Sequence, residues 1–374
     1  MTGAGSHVLR REAGVGNLYI GPRAQRASTP QAIVRPDERL HWAALDAIPR
    51  RGAYAWPRWL EYEGQDSGIF DWLSRRRETL ESLELVATAP LSVDASHARL
   101  QQLRVETKYE LRLVAPGAVD LSLHGTLEHM DVTAAARGAD VELTLEPRRG
   151  RLVALAGLAG VKRLTVRGSE VDLTAIGDFA EVRELSLIGT MKNLPALREL
   201  HALEHFTLRD VWNLAELPPW PTWPSLKEVN LFGARKSDAK RLVQAARRSP
   251  TLAIRARGSR TDAWIEDPTN RPRFEGWSVP ARALKEANAA YATAEAACSR
   301  LCTPTPARAD RAQARAIVEE LVRALNALHA RKGCSLTTLE REDAVDAIDA
   351  LFSREALAPL RDDALAWFDA SRSF

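Results

Sequence analysis

At 374 residues the chain is long for one compact core, so several domains or a repeat array are expected. Hydrophobic content of 45% and charged content of 27% are those of an ordinary globular chain, and a net charge of +3 gives no argument for nucleic acid. Three cysteines exclude a disulfide framework and fit a reducing cytosol, and no run reaches the ~18 apolar residues that would span a bilayer.

No apolar run of signal-peptide length stands near the N-terminus, so a cytoplasmic location is expected. The excess of Arg over Lys and the abundance of Ala suggest a GC-rich, bacterial genome. Residues 1–37 are rich in Gly, Arg, Ser, Thr and Pro without a period and read as a mobile arm. Its GVGNLYIG (residues 14–21) lacks the spacing of a phosphate loop. Residues 38–79 carry Trp42, Tyr54, Trp56, Trp59, Tyr62, Phe70 and Trp72. They are expected to form short helices whose rings, each burying about 150–250 Å², cover the raw apolar end of a repeat stack.

One short phrase then recurs. VKRLTV from Val161, VRELSL from Val182, LEHFTL from Leu203 and LKEVNL from Leu226 share the form apolar-x-x-apolar-x-apolar, starting 21, 21 and 23 residues apart. Leu80-x-x-Leu83-x-Leu85 and Leu100-x-x-Leu103-x-Val105 carry it whole, whereas Leu121-x-Leu123, Val141-x-Leu143 and Leu252-x-Ile254 carry its second half. Nine strands are therefore expected, starting at Leu83, Leu103, Leu121, Val141, Leu164, Leu185, Phe206, Val229 and Leu252. Alternate apolar positions put two side chains inward and one outward, and stacked copies make a parallel sheet covered by the return segments. VDLTAIGDFAEV reads as a helical turn, and ELPPWPTWPSL as a proline-stiffened strap stapled by tryptophans.

The phrase and its period resemble those of the leucine-rich repeat superfamily. The resemblance implies an α/β solenoid over 80–258: an irregular leucine-rich-repeat array with a parallel β-sheet, whose concave face binds a protein partner. The family normally places Asn or Cys three residues after the second strand leucine, where it bonds free backbone groups. Here Thr88, Thr126, Ser169 and Thr190 offer hydroxyls, and Lys108, Glu146, Val211 and Ala234 stand in the other bends.

The expected outward positions are Glu84, Arg104, Ser122, Glu142, Thr165, Ser186, Thr207, Asn230 and Ala253. Glu106, Asp120, His124, Arg163, Arg167, Glu184, His205, Arg209, Glu228, Phe232 and Arg255 flank them. Charges of both signs on one face suit a protein ligand of complementary charge. The basic stretch from Arg235 through Arg247, Arg248 and Arg255 to Arg273 reads as a solvated surface, since no stacking or base-reading element adjoins it.

Residues 259–279 are a polar linker, and 280–374 change to Ala-rich helices expected over 281–302, 309–330, 337–352 and 355–370. Val318, Leu321, Val322, Leu325 and Leu328 mark one buried face of a small all-α C-terminal bundle. Two motifs suggest chemistry instead. His201-Ala-Leu-Glu204-His205 resembles the H-x-x-E-H zinc signature of inverzincins, but it runs into a strand phrase, which breaks the helical i, i+4 relation that metal binding needs. Cys298, Cys302, His329 and Cys334 offer zinc-ligand chemistry, yet about 25–30 Å of helix would part Cys302 from His329. The expectation is a non-enzymatic protein-binding module without cofactor or metal, the alternative being chemistry in the helical domain or at H-x-x-E-H.

Overall fold

The computed structural model describes residues 17–22, 31–48, 57–76, 78–148, 150–247, 251–266, 279–302, 311–331, 338–352 and 356–374, with a few single positions between them. The chain divides into two compact units, Met1–Arg260 and Thr261–Phe374. No helix among the described residues is long and apolar enough to cross a membrane.

The first unit is built on a large open parallel sheet. Its strands are β1 (Leu18–Ile20), β2 (Gln31–Ala32), β3 (Trp59–Gly64), β4 (Leu80–Ala87), β6 (Leu100–Thr107), β8 (Asp120–Gly125), β10 (Glu142–Pro147), β11 (Arg163–Asp172), β12 (Glu184–Lys192), β13 (His205–Arg209), β14 (Glu228–Phe232) and β15 (Ala253–Arg257). The order in this 12-stranded sheet is β15-β14-β13-β12-β11-β10-β8-β6-β4-β3-β1-β2. From β3 onward each main strand therefore lies beside its predecessor in the chain. A short crossover returns under the sheet each time, the only route by which consecutive strands stay parallel.

Register follows the buried side chains. Leu60, Leu83, Leu103, Leu121, Leu143, Leu164, Leu185, Phe206, Val229 and Ile254 are aligned strand to strand. All are buried except Ile254, which packs against the core from the edge. Two expected strand starts move by two residues: Leu143 rather than Val141, and Ile254 rather than Leu252, take the aligned positions. Val141, Leu143 and Leu145 are all inward, so alternation alone could not say which of them meets Leu121.

The sheet also starts earlier than Leu80. Within the expected helical cap, Trp59-Leu-Glu-Tyr-Glu-Gly is a strand paired with β4. Within the expected mobile arm, Leu18 and Ile20 are buried on β1, which pairs with β3. Tyr54, Trp56 and residues 1–16 and 23–30 of the arm lie outside the described residues. The aromatics do gather. The Trp42 ring stands edge-on to Tyr62 and stacks on Trp72 of helix α1 (Gly68–Arg75). Trp42 Nε1 donates to Asp66 and Trp72 Nε1 to Asp46, so the rings' polar edges are satisfied. Burial pushes the Tyr62 hydroxyl, which accepts the Asp66 N–H, up to about 12. Trp59, by contrast, is half exposed.

Return segments come in two kinds. The early ones are strands, β5 (Leu91–Asp94), β7 (Leu111–Val114) and β9 (Met130–Thr133), which form a second, 3-stranded parallel sheet that the sequence reading did not anticipate. The later ones are short 3-10 turns, including Thr174–Phe179 and Leu194–Glu199. In the proline-rich strap Trp220 and Trp223 are buried, their indole N–H groups donating to the carbonyls of Leu242 and Leu197. Helix α2 (Lys236–Ala246) makes the last return, between β14 and β15. Hydroxyls serve the bends only locally: Thr190 Oγ1 accepts the Glu170 N–H at 2.7 Å and lies 3.2 Å from Ser169 Oγ.

In the second unit, α3 (Asp262–Glu266) falls where a linker was expected. Helices α4 (Ala281–Leu301), α5 (Arg311–His329), α6 (Thr338–Phe352) and α7 (Arg361–Ser371) pack α4 on α5, α5 on α7 and α6 on α7. The five aliphatic residues predicted on α5 are buried there. The last helix starts at Arg361 rather than near 355, after a 3-10 turn at Ala358–Leu360. Residues 303–310 and the expected cap Thr337 lie outside the described residues.

Gly125 closes β8 at φ +123°, and a Cβ there would sit 1.9 Å from the Thr107 carbonyl oxygen of the neighbouring strand. Gly125→Ala should therefore lower the unfolding free energy by roughly 2–4 kcal/mol in urea titration. Gly117→Ala, whose Cβ would meet only Ala135 Cβ at 3.4 Å, should leave it within about 1 kcal/mol of the parent.

Candidate functional site

The outward face of the large sheet carries three rows of side chains, two residues apart along each strand. In the row nearest the strand starts stand Trp59, Ser82, Gln102, Asp120, Glu142, Arg163, Glu184, His205, Glu228 and Ala253. The middle row holds Glu61, Glu84, Arg104, Ser122, Thr144, Thr165, Ser186, Thr207, Asn230 and Arg255. In the third row come Glu63, Val86, Glu106, His124 and Glu146, then Arg167, Ile188, Arg209, Phe232 and Arg257.

All twenty expected outward and flanking positions lie on this face, but three of their assignments change. Glu142 and Ala253 belong to the first row, not the middle one, and Arg255 moves from flank to middle. The cause is the two-residue shift of β10 and β15. The same shift moves Glu146 from an expected bend onto the third row. It also brings in Thr144, so that β8 to β14 present an uncharged floor of hydroxyls ending in Asn230. Glu61, Glu63, Val86, Ile188 and Arg257 were also missed. The alternation of Leu60 and Tyr62 with Glu61 and Glu63 was the available signal for the first two.

Glu146 is the hub of an ionic network across five strands. Its carboxylate lies 3.6 Å from Arg167 Nη1, 3.7 Å from Arg104 Nη2 and 3.9 Å from His124 Nδ1. Arg104 Nε also faces Glu84 at 3.8 Å, and His124 faces Glu106 at 3.9 Å. Arg104 Nη2 also lies 3.4 Å from His124 Nδ1. Further along, Glu142 pairs with Arg163, and Glu228 pairs with Arg255 at 3.0 Å and faces His205 at 3.8 Å. Arg209 lies over the Phe232 ring, 5.3 Å from its centroid. Among the described residues no carboxylate lies within 4.0 Å of Arg209 or Arg257. Burial, opposed by Arg260 and Arg209, holds Asp210 above the usual carboxylate range.

The H-x-x-E-H residues are not convergent. His201 sits in a turn, Glu204 is engaged by Lys227 and by Arg183, and His205 opens β13. The hydrogen bond from Lys227 is the main reason the Glu204 carboxyl is held below its ordinary range. In the second unit Cys298 and Cys334 are buried, Cys302 is partly exposed, and His329 Nδ1 accepts the Leu336 N–H at 3.0 Å. Among the described residues no group of three or more His, Cys, Asp or Glu is placed to hold a metal ion. The basic stretch is divided: Arg241 is tied to Asp238 and the Leu214 carbonyl, Arg255 to Glu228, and Arg273 to the Asp346 carbonyl. Arg248 and Arg271 lie outside the described residues.

No protein-family model matches the chain, and neither a curated protein nor a solved structure matches it.

Asp120 gives the face a pH signature. Burial, and then Glu142 beside it, hold its carboxyl above the usual range. The folded chain therefore keeps that proton more tightly than the unfolded one, and ionisation costs stability as pH rises from the ordinary carboxylate range through the raised value. Asp120→Asn should raise the urea midpoint at pH 7, with the gain shrinking as pH falls towards the unfolded value near ~3.9.

Proposed function

We propose that the first unit is an irregular leucine-rich solenoid of the leucine-rich repeat superfamily. In this reading the chain is a non-enzymatic interaction protein that holds a protein partner on the concave face of that solenoid. One observation carries the reading: the side chains opposite the buried ladder form three continuous registered rows. They put charged residues of both signs around an uncharged hydroxyl floor on β8 to β14. A polar, rigidly spaced sheet face fits another protein's surface better than a small molecule, which favours enclosed apolar clefts. Mixed charge supplies orientation and rate of encounter, while the hydroxyls and Asn230 offer donors and acceptors at strand spacing. Nucleic acid is disfavoured by the carboxylates of the first row, Asp120, Glu142, Glu184 and Glu228, which would face phosphates along the whole surface. The free cysteines suit a cytoplasmic setting.

Capture from cell extract tests this. Immobilised parent chain and an Arg112→Glu variant, altered on the 3-stranded sheet instead, should retain the same partner proteins. The doubly reversed Arg167→Glu, Arg209→Glu variant should lose them by about tenfold or more. Retention of the same partners by the double variant overturns the assignment of this face.

A further inference from the structure

The large sheet stops at β15 with one edge unpaired. β15 ends the strand order and pairs only with β14, whereas the other end of the sheet finishes on β2, two residues long. Along β15 the backbone turns alternately towards β14 and away from it, as in any parallel pair. The Ala253 N–H donates to the Lys227 carbonyl at 2.9 Å, and the Arg257 carbonyl accepts the Gly233 N–H at 3.1 Å. Ala253, Arg255 and Arg257 are therefore the residues that bond to β14. The N–H and C=O groups of Ile254 and Ala256 point out of the sheet edge, where no strand among the described residues meets them.

The side chains of β15 lack a neighbour in the same way. Ile254 and Ala256 hold the inward positions that Val229 and Leu231 fill on β14. Val229 and Leu231 are fully buried, yet Ile254 is half-buried and Ala256 exposed. The apolar ladder thus ends on an open rung, and the end of a repeat stack needs something to close it. On the outward face Arg255 is held by Glu228 at 3.0 Å. Arg257 is exposed, and among the described residues no carboxylate lies within 4.0 Å of it. Arg209, over the Phe232 ring, adds a second cation two strands away in the same row.

We infer that β15 receives an extended, acidic segment of a partner protein as the next strand of the sheet, bonded through its backbone to Ile254 and Ala256 and through a carboxylate to Arg257. In strand addition the main-chain bonds supply affinity and the alternate side chains supply choice. Residues set beside Ile254 and Ala256 turn inward and should be apolar, while the one beside Arg257 turns outward and should be acidic. The segment therefore reads apolar-x-apolar-acidic if it runs parallel to β15, and acidic-apolar-x-apolar if it runs antiparallel. A second copy of the chain fits poorly, since two antiparallel β15 strands bonded through Ile254 and Ala256 would set Arg255 against its own mate. Nucleic acid would bring phosphate to Arg257 but no backbone amides at strand spacing. The site is the edge of the sheet, so it does not depend on which partner the concave face takes.

Selection on the immobilised full-length chain tests this, using a displayed library of random linear peptides of about twelve residues, twice a typical strand. Enriched peptides should carry an acidic residue next to alternating apolar ones. Arg257→Glu should weaken their binding about tenfold or more, and exchanging their acidic residue for lysine should recover it on that variant to within about threefold. Ala256→Pro should also weaken it about tenfold or more, because it removes an N–H that points away from β14 and spares the ladder. Arg112→Glu, on the 3-stranded sheet, should bind as the parent does, and far-ultraviolet circular dichroism checks that each variant folds. N-methylation of the peptide probes the backbone bonds without altering the protein. Methyl groups on one alternate set of its amides should abolish binding and those on the other set should spare it, since only one set faces β15. Failure to enrich any peptide overturns the inference, as does a selection without acidic preference, indifference to Arg257→Glu, or an equal effect of the two methylated sets. Each of those results leaves the reading of the concave face standing, and the capture experiment above decides that separately.

Discussion

The structure depends on one constraint: in a stack of parallel strands, every strand must turn the same side chains inward. Shifting a strand by one residue would turn its apolar set to solvent and its charges into the core. The ladder from Leu60 to Ile254 satisfies that constraint over ten strands, and each rung is covered by the return segment of its own repeat. A buried leucine truncated to alanine in such a site costs about 2–5 kcal/mol, so a single rung holds a large share of the stability of any one repeat. The irregular features of the first unit are local answers to the same requirement. Gly125, Gly189 and Gly233 let neighbouring turns approach closely at positive φ, and the strap tryptophans fill the volume that a regular return would occupy.

The variety of the return segments follows from what the ladder leaves open. The ladder fixes strand spacing on one side only, so the other side needs to be apolar and compact but not of one geometry. Leu91, Leu111 and Met130 line up in the second sheet, where short strands pair with each other. Ile176, Phe179, Leu194 and Leu197 do the same covering with 3-10 turns. The second unit solves its burial separately, with its own core running from Phe274 to Phe368, and it shares no rung of the ladder.

Most of the sheet was legible because its repeats carry a two-residue alternation inside a period of about 21 residues, and the return segments obey the same inside-outside rule. Ambiguity arose where alternation ran longer than the phrase. Val141, Leu143 and Leu145 are equally buried, and only pairing with Leu121 and Leu164 chooses among them. That choice moved Glu142 off the middle row and put Glu146 at the centre of the ionic network, a role no local pattern could have given it. The strands before Leu80 were hidden for another reason. Their aromatic content reads as a cap, and β1 is only three residues long, so the apolar pair Leu18 and Ile20 has too little sequence around it to show a period.

Register also decides what the charges mean. A net charge of +3 describes a nearly balanced chain, yet in the third row the balance is achieved by separation, glutamates on strands before β11 and arginines from β11 onward. Spacing two strands apart, about 9.6 Å, is close to the Debye length at physiological ionic strength. Outside the network centred on Glu146, each charge of the row therefore acts largely on what faces it, and the row is read as an ordered series and not as an average field. An ordered series discriminates between partners by position: a ligand displaced by one strand meets Val86, His124, Ile188, Phe232 or a charge of the other sign in place of the charge it fits. The same stacking rule that buries the leucines thus fixes, on the opposite face, the spacing at which specificity can be written.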